Sequence, residues 1–443
     1  MIAIEHGYDA DAFRKCLCLI AAQPGEVLSL PGWKPEMIAN AAGRMHDVLR
    51  DTGAAVVYGD YYLRMPDGSL RHTMSEEWQP GSLREGLDTG PVWMVSPKAL
   101  ESALGELDRR YEYASLYALR LALQRQGPVV RIGEPLCIAE RVECDGDQWA
   151  YVDPSNRERQ VELEDTCTRH LQAIGACLTG EPRRVGRDML DEGEWPVEAS
   201  VVIPVRNRVS TIADAVKSAL SQSAGFGYNV IVVDNHSDDG TSELIEELAL
   251  SDDRLVHVVP AEEGLGIGGC WNVAISHPMC GRYAVQLDSD DIYASADTLQ
   301  RIVDTFRKER CAMVVGSYTL TDIAGNPIPP GVIDHREWTA FNGRNNLLRV
   351  NGIGAPRAFV TAIVRETMFP NSSYGEDYAM ALALSRVWHV GRIFDSVYLC
   401  RRWGGNSDAS LSAERLRQYN HYKDSLRTME IAARQKINRE DGE

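Results

Sequence analysis

Ala199–Val205 reads ASVVIPV, a short apolar run rich in β-branched residues. That is the pattern of a strand buried on both faces of a sheet. A polar loop, Arg206-Asn207-Arg208, follows it, and Ser210 precedes Ile212–Leu220, whose apolar residues recur at helical spacing. The unit then repeats. Val230–Val233 is a second strand ending at Asp234, and Thr241–Leu250 a second helix. Leu255–Val259 is a third strand, and Gly264–Gly269 leads into a helix bearing Trp271, Asn272, Ala274 and Ile275. Tyr283–Leu287 is a fourth, ending in Asp288-Ser289-Asp290-Asp291. Strands alternating with helices imply an α/β fold with a doubly wound, mainly parallel sheet. Such sheets bind ligands beyond the carboxyl ends of their strands. Asn207, Asp234 and Asp288 all fall there.

The chain has 443 residues, enough for two or three domains. Its 46 Lys and Arg against 64 Asp and Glu leave a formal charge of −18. So acidic a surface argues against nucleic acid and anionic lipid as partners, while a local site for a small phosphorylated substrate stays open. The start, MIAIEHGYDADAFRK, lacks the basic-then-apolar pattern of a signal peptide. No apolar run is long enough for a spanning helix. The ten cysteines are scattered, and the Cys16/Cys18 spacing is too tight for a CxxC site. They read as buried free thiols of a cytoplasmic protein.

The front half repeats the back half in part. Asp51–Asp60 (DTGAAVVYGD) resembles Lys308–Ser317 (KERCAMVVGS) without a gap, at an offset of 257 residues (51 against 308). Arg131–Arg141 (RIGEPLCIAER) resembles Arg392–Arg402 (RIFDSVYLCRR). Residues ~20–141 thus read as a degraded copy of residues ~280–402. Opposite Asp288-Ser289-Asp290-Asp291 stand Pro31-Gly32-Trp33-Lys34, and opposite Glu376-Asp377 stand Glu112-Tyr113. No counterpart of the first two strands is read before residue 20. The expected layout is therefore a smaller α/β accessory domain over 1–150 and a helix and exposed linker over 151–197. A main domain over 198–410 and a helical surface tail over 411–443 complete it. Trp33, Tyr61, Tyr62, Trp78 and Trp93 of the front domain read either as sugar-stacking faces or as core. That domain is expected to bind acceptor, join a dimer or brace the main sheet.

Three carboxylates within four residues, Asp288 to Asp291, repel one another unless a cation or water separates them. Hard divalent ions favour oxygen ligands and are often held by one or two carboxylates plus substrate phosphates. Gly375-Glu376-Asp377-Tyr378 opens a helix, where carboxylates serve as simple caps or as a general base. Gly264-Leu265-Gly266-Ile267-Gly268-Gly269 fits the outline of a dinucleotide fingerprint but follows the third strand rather than the first. Its glycines are expected to let the backbone pass close to a ligand.

Together VVIPVRNR, VVDNHSDDGT, GLGIGGCWNVAI, LDSDD and GEDY resemble, in order and spacing, the family 2 glycosyltransferases of the GT-A fold. The likeness covers residues ~198–410. Asn235 and His236 depart from the commonest form of the second motif, and Leu399 replaces the Gln that precedes Arg-Trp in processive synthases.

The resemblance implies a metal-dependent, inverting transfer of a sugar from a nucleotide diphosphate, with UDP favoured, to an acceptor hydroxyl on a glycan or other molecule. Surface glycan synthesis would suit such an enzyme. It implies that Pro204, Val205, Asn207, Asp234, Asn272 and Asp288 line the nucleotide pocket. Asp290, with Asp288, would hold Mn²⁺ or Mg²⁺. Asp377 would be the catalytic base with Glu376 beside it, and Arg401, Arg402 and Trp403 would lie near the diphosphate or acceptor. Two other classes remain on sequence grounds. One is a sugar-nucleotide nucleotidyltransferase, against which the glycine-free Pro204–Arg208 loop argues. The other is a non-catalytic nucleotide- or glycan-binding protein, against which the intact DSDD and GEDY argue.

Overall fold

The computed structural model describes residues 2–3, 18, 26–107, 110–142, 156–406 and 411–440. Cys16 and the residues around the expected 150/151 boundary lie outside these. The chain divides into two compact units: Met1–Leu178 with Leu348–Val350 and Asn420–Glu443, and Thr179–Leu347 with Asn351–Tyr419.

In the first unit the described strands are β1 (Ile2–Ala3), β2 (Val27–Ser29), β3 (Trp33–Met37), β4 (Val56–Arg64), β5 (Leu70–Thr73), β6 (Val92–Val95) and β7 (Val129–Arg141). They form one sheet in the order β1-β2-β6-β4-β7-β3, with β5 beside β4. The Ala41–Thr52 helix buries Ala41 and Met45 against it. Trp93, Tyr61 and Trp78 are 1%, 3% and 7% exposed. They are core, so the sugar-stacking reading fails for these three. Trp78 packs on Trp93, with ring centroids 5.4 Å apart.

The second unit holds β8 (Ala199–Val205), β9 (Tyr228–Asp234), β10 (Leu255–Val258), β11 (Tyr283–Gln286), β12 (Ile292–Tyr293), β13 (Met313–Asp322), β14 (Pro327–Ile333), β15 (Arg357–Val360) and β16 (Val390–Arg402). Their order is β10-β9-β8-β11-β15-β13-β16-β12, with β14 beside β13. β10, β9, β8 and β11 run parallel. Val201 to Ile203 and Val230 to Val233 are wholly buried between helices, as their unbroken apolar runs require. Beyond β11 the sheet is mixed, because β15 runs antiparallel to both β11 and β13. β13 and β16 pair parallel and run in the direction of the first four strands, so six of the nine described strands share one direction and the sheet is mainly parallel, as expected. The winding direction reverses between β8 and β11, so their carboxyl ends frame the crevice where ligands bind in such folds.

The 180–196 stretch is mostly exposed, as expected of a linker, yet it is anchored to the second unit. Val185 and Leu190 are buried, and Arg183 and Val185 donate backbone hydrogen bonds to Val387 and Arg310. Arg282 binds the carbonyls of Met189, Glu192 and Gly193 from below. The tail is helical, as expected, but it buries one face. Ala413–Glu440 is one helix whose residues from Asn420 onward belong to the first unit. Its charges are buried because they are paired: Arg427 with Asp424 at 2.7 Å and Arg434 with Glu430 at 2.7 Å. Gly81 lets it approach, since a Cβ there would lie 2.3 Å from the Asp424 carbonyl.

Candidate active site

The loops after β8 and β9 are tied to each other. Asn207 adopts a left-handed conformation, with φ of 53°. Its Oδ1 accepts from the Asp238 amide at 2.9 Å, and its own amide donates to Ser237 Oγ at 2.9 Å. Val205 is buried and its carbonyl accepts from Asn235, while Pro204 stays half-buried. Asp234 is fully buried. It accepts from the Ser237 amide at 3.0 Å and the Ser242 hydroxyl, with His257 Nε2 at 3.5 Å. Burial opposes its ionisation, yet hydrogen bonds from His257, Ser237 and Ser242 outweigh it and hold the carboxyl well below the usual carboxylate range. Asp234 therefore shapes the loop from inside rather than facing the crevice.

The acidic turn after β11 is held on several sides. Asp288 accepts from Gln286 Nε2 at 2.8 Å, and its amide donates to the Tyr398 hydroxyl at 3.0 Å. Asp291 is buried and accepts from the Arg401 amide at 2.7 Å. Burial pushes both carboxyls up, and the charge of Asp290 adds to the effect on each. Asp290 Oδ2 accepts from Trp403 Nε1 at 3.2 Å and Asn406 Nδ2 at 3.1 Å. Arg401 is 3% exposed. Its Nε binds the Asp290 carbonyl and its Nη1 lies 2.9 Å from Asp214, while its buried Nη2 has no hydrogen-bond partner among the described residues. Arg402 stands opposite Asp322 in the β13–β16 ladder.

The helix Glu376–Val387 brings the other half of the site. Gly375, at φ 78°, turns the chain into it. Asp377 Oδ1 accepts from the Tyr378 amide at 2.7 Å, and Oδ2 lies 2.5 Å from Arg357 Nη1. Glu376 is 8% exposed, and its Oε2 is buried without a hydrogen-bond partner. Burial, and then the neighbouring Asp377 charge, push its carboxyl up to about 8. Arg357, at the start of β15, is drawn by Asp377, Asp288 and Glu376 together. Its amide also donates to Gln286 Oε1 at 3.0 Å. The DSDD turn and the GEDY helix, distant in sequence, thus share one arginine. Sequence reading missed Arg357. Its only signal is a charge opening an otherwise apolar strand, Arg357-Ala358-Phe359-Val360.

The glycine-rich segment serves a different purpose from the one expected. Cβ atoms on Gly266, Gly268 and Gly269 would lie 2.4 Å from Ser372, 2.0 Å from the Pro370 carbonyl and 2.4 Å from Asn371. Gly266, Gly268 and Gly269 admit the protein's own 370–372 segment, while the space at Gly264 is open. Among the described residues, no group of three or more His, Cys, Asp or Glu gathers into a ready-made metal site. No described helix is long and apolar enough to cross a membrane.

Comparison with known proteins matches this region. Residues 200–369 fit the family described as Glycosyl transferase family 2. A putative teichuronic acid biosynthesis glycosyltransferase, TuaG of Bacillus subtilis, is 34% identical over 134 residues, 30% of this chain and 52% of that protein. An uncharacterized glycosyltransferase of Rickettsia felis is 23% identical over 387 residues, 81% of this chain and 62% of that protein. The chain spans between two-fifths and two-thirds of the length of the first curated relatives it matches. Among solved structures, S. aureus TarS 1-349 in complex with UDP-GlcNAc aligns with a TM-score of 0.42 at 20% identity, covering 53% of this chain and 66% of that one. The match to Glycosyl transferase family 2 thus takes in the acidic turn at the end of β11 and Arg357, and the Glu-Asp helix that Arg357 meets lies just beyond it.

Proposed function

We propose that the Thr179–Tyr419 unit transfers a sugar from a nucleotide diphosphate, UDP being favoured, to an acceptor hydroxyl with inversion at the anomeric carbon. The observation that carries this reading is the Arg357 bridge, which gathers Asp377, Glu376 and Asp288 around one crevice at the switch point of the sheet.

Asp377 is the proposed general base. Its ion pair with Arg357 fixes its direction, so that it can take the acceptor proton as the oxygen attacks. Attack on the anomeric carbon opposite the leaving diphosphate inverts that centre in a single displacement. Asp290, with Asp288, offers hard carboxylate oxygens suited to Mn²⁺ or Mg²⁺, and two carboxylates plus the donor's own phosphates suffice for such an ion. The mutual repulsion of the turn is what a divalent cation would relieve. Bound there, it would offset charge on the departing diphosphate. Arg401, its buried Nη2 unpartnered among the described residues, adds a fixed positive charge on the same side as Asp290. Arg402 and Trp403 complete the proposed diphosphate and acceptor side. Pro204, Val205 and Asn207 are proposed to border the base and ribose, with Asp234 acting through the loop it braces. The likeness to TuaG supports an acceptor among cell-surface glycans. The described cysteines are free thiols, which suits a reducing cytoplasm.

The test is a thermal-shift panel of UDP, GDP, CDP, TDP and NAD, each with and without Mn²⁺. A ligand selective for the folded state raises the melting temperature. A Mn²⁺-dependent shift with one nucleoside diphosphate, absent in Asp290→Ala, is the expected result. A metal-independent shift with NAD alone would overturn it. Metal-dependent binding without donor cleavage or transfer would leave a binding protein.

A further inference from the structure

Asn272 carries a different role from the one its motif implies. It lies on the Ile267–Ser276 helix, and both ends of its amide close on a single residue's main chain. Nδ2 donates to the Phe369 carbonyl at 2.8 Å, and Oδ1 accepts from the Phe369 amide at 2.8 Å. A side chain paired in this way mimics a neighbouring strand and fixes both peptide groups of its partner. The next residues dock on the same helix. The Gly266 amide donates to Asn371 Oδ1 at 2.7 Å, and the Gly268 amide to the Ser372 carbonyl at 2.9 Å. Two of the helix's first orphan donors, the Gly266 and Gly268 amides, are therefore spent on protein. Trp271 adds ring contacts to Phe369 and Phe359, at 5.3 and 5.6 Å between centroids. Where the glycines lack side chains, Pro370 to Ser372 fill the space. A Cβ on Gly268 would also lie 3.0 Å from Glu376 Cβ, so the helix reaches the Glu-Asp turn itself.

We propose that Asn272 is a positioning residue. It holds the Phe369–Ser372 segment so that the chain enters Glu376 and Asp377 in one fixed course. The proposal rests on the glycosyltransferase reading for its consequence, since it is the base Asp377 that is being aimed. Arg357 holds Asp377 from one side, and the clamp anchors the chain that delivers it. Reacting groups must be held within a fraction of an ångström, so a loosened base costs turnover without costing donor affinity.

The experiment compares Asn272→Ala and Asn272→Asp with the unmodified protein. Asn272→Asp keeps an acceptor for the Phe369 amide and loses the donor to its carbonyl, and so should lie between the other two. Three quantities are read: UDP affinity with Mn²⁺, UDP release from UDP-GlcNAc, UDP-glucose and UDP-galactose, and hydrogen exchange over residues 366–380. The proposal expects faster exchange in that stretch and UDP affinity within about threefold of the unmodified protein. It expects turnover lowered roughly 100-fold, with little change in donor KM. Affinity for UDP weakened tenfold or more with turnover per bound donor intact would make Asn272 a nucleotide contact and overturn it. Unchanged exchange would equally overturn it. If the unmodified protein binds none of UDP, GDP, CDP and TDP and cleaves no donor, the glycosyltransferase reading falls, and the exchange comparison still decides whether Asn272 holds the segment.

Discussion

The two sheets are the same sheet with different contents. β1, β2, β6, β4, β7 and β3 of the first unit take the places of β8, β11, β15, β13, β16 and β12 of the second, and β5 takes that of β14. The registers agree residue for residue. Val56, Val57 and Tyr58 face Val129, Val130 and Arg131, as Met313, Val314 and Val315 face Val390, Gly391 and Arg392. Both ladders break at the same point and resume with Asp60 against Pro135 and Ser317 against Ser396. Among its described residues the first unit has no counterparts of β9 and β10. Where the second unit carries Asp288 and Asp290, the first makes a short turn into β3. Where the second keeps Arg357, Trp93 occupies the first, filling the core. Scaffold and chemistry are therefore separable: the two units share strand order and register, while Asp288, Asp290 and Asp377 of the second have no carboxylate at the corresponding positions of the first.

The largest expected effect follows from that separation. Asp377→Asn should lower turnover by about 10²–10⁴-fold, the range of a lost general base, with UDP binding nearly unchanged. The equivalent position in the first unit is Tyr113, and Tyr113→Phe should leave turnover alone. Near-normal turnover in Asp377→Asn removes it from the role. A comparable loss in Tyr113→Phe would show that the first unit is no bystander. Next is Asp290→Ala, which should abolish the Mn²⁺-dependent part of the UDP shift. An unchanged metal dependence would reject Asp290 as ligand.

The sequence made the strands of the second unit plain because β8 and β9 are apolar throughout, and the repeat plain because β4 and β13 keep their volumes in register. It did not show which polar residues face the crevice. Asp234 and Asn272 sit in motifs that suggest ligand contact, yet their partners are Ser237, Ser242, His257 and Phe369, brought near only by folding. Arg357 had no motif at all. β1 was missed because two residues carry too little pattern, and the tail helix was read as surface because buried charges announce themselves only through partners. A polar residue's role depends on its neighbours in space, whereas an apolar residue's depends mainly on its period.

A smaller pair of effects tests the shared break in the ladders. Gly59 and Gly316 occupy equivalent places there. A Cβ on Gly59 would lie 2.7 Å from Leu136 Cδ1 and 2.6 Å from the Ile132 carbonyl. One on Gly316 would lie 2.8 Å from Val397 Cγ2 and 2.7 Å from Pro356 Cδ. Gly59→Ala and Gly316→Ala should each destabilise their own unit by about 1–3 kcal/mol, the usual cost of overpacking. Thermal unfolding followed by two probes, one per unit, would check this. Destabilisation in only one variant would mean that the common register hides different packing.

A pH effect is one the first unit should not share. Glu376 titrates at about 8 in the folded chain against an ordinary 4.5, because burial and then Asp377 oppose its charge. Between those values the unfolded chain has released this proton and the folded chain retains it. The native state then binds more protons, so its stability falls as pH rises from about 4.5 through 8. This contribution is complete at the acid end and gone above 8. Glu376→Gln, which never carries the charge, should flatten that slope, so that the two proteins draw apart in melting temperature as pH rises, with the variant the more stable at pH 8. Glu112, the exposed counterpart in the first unit, gives a control: Glu112→Gln should leave the slope as it was. Melting curves from pH 5 to 8 separate the cases. A slope unchanged by Glu376→Gln would mean that Glu376 is ionised in the native state, and that the Arg357 charge outweighs both burial and its acidic neighbour.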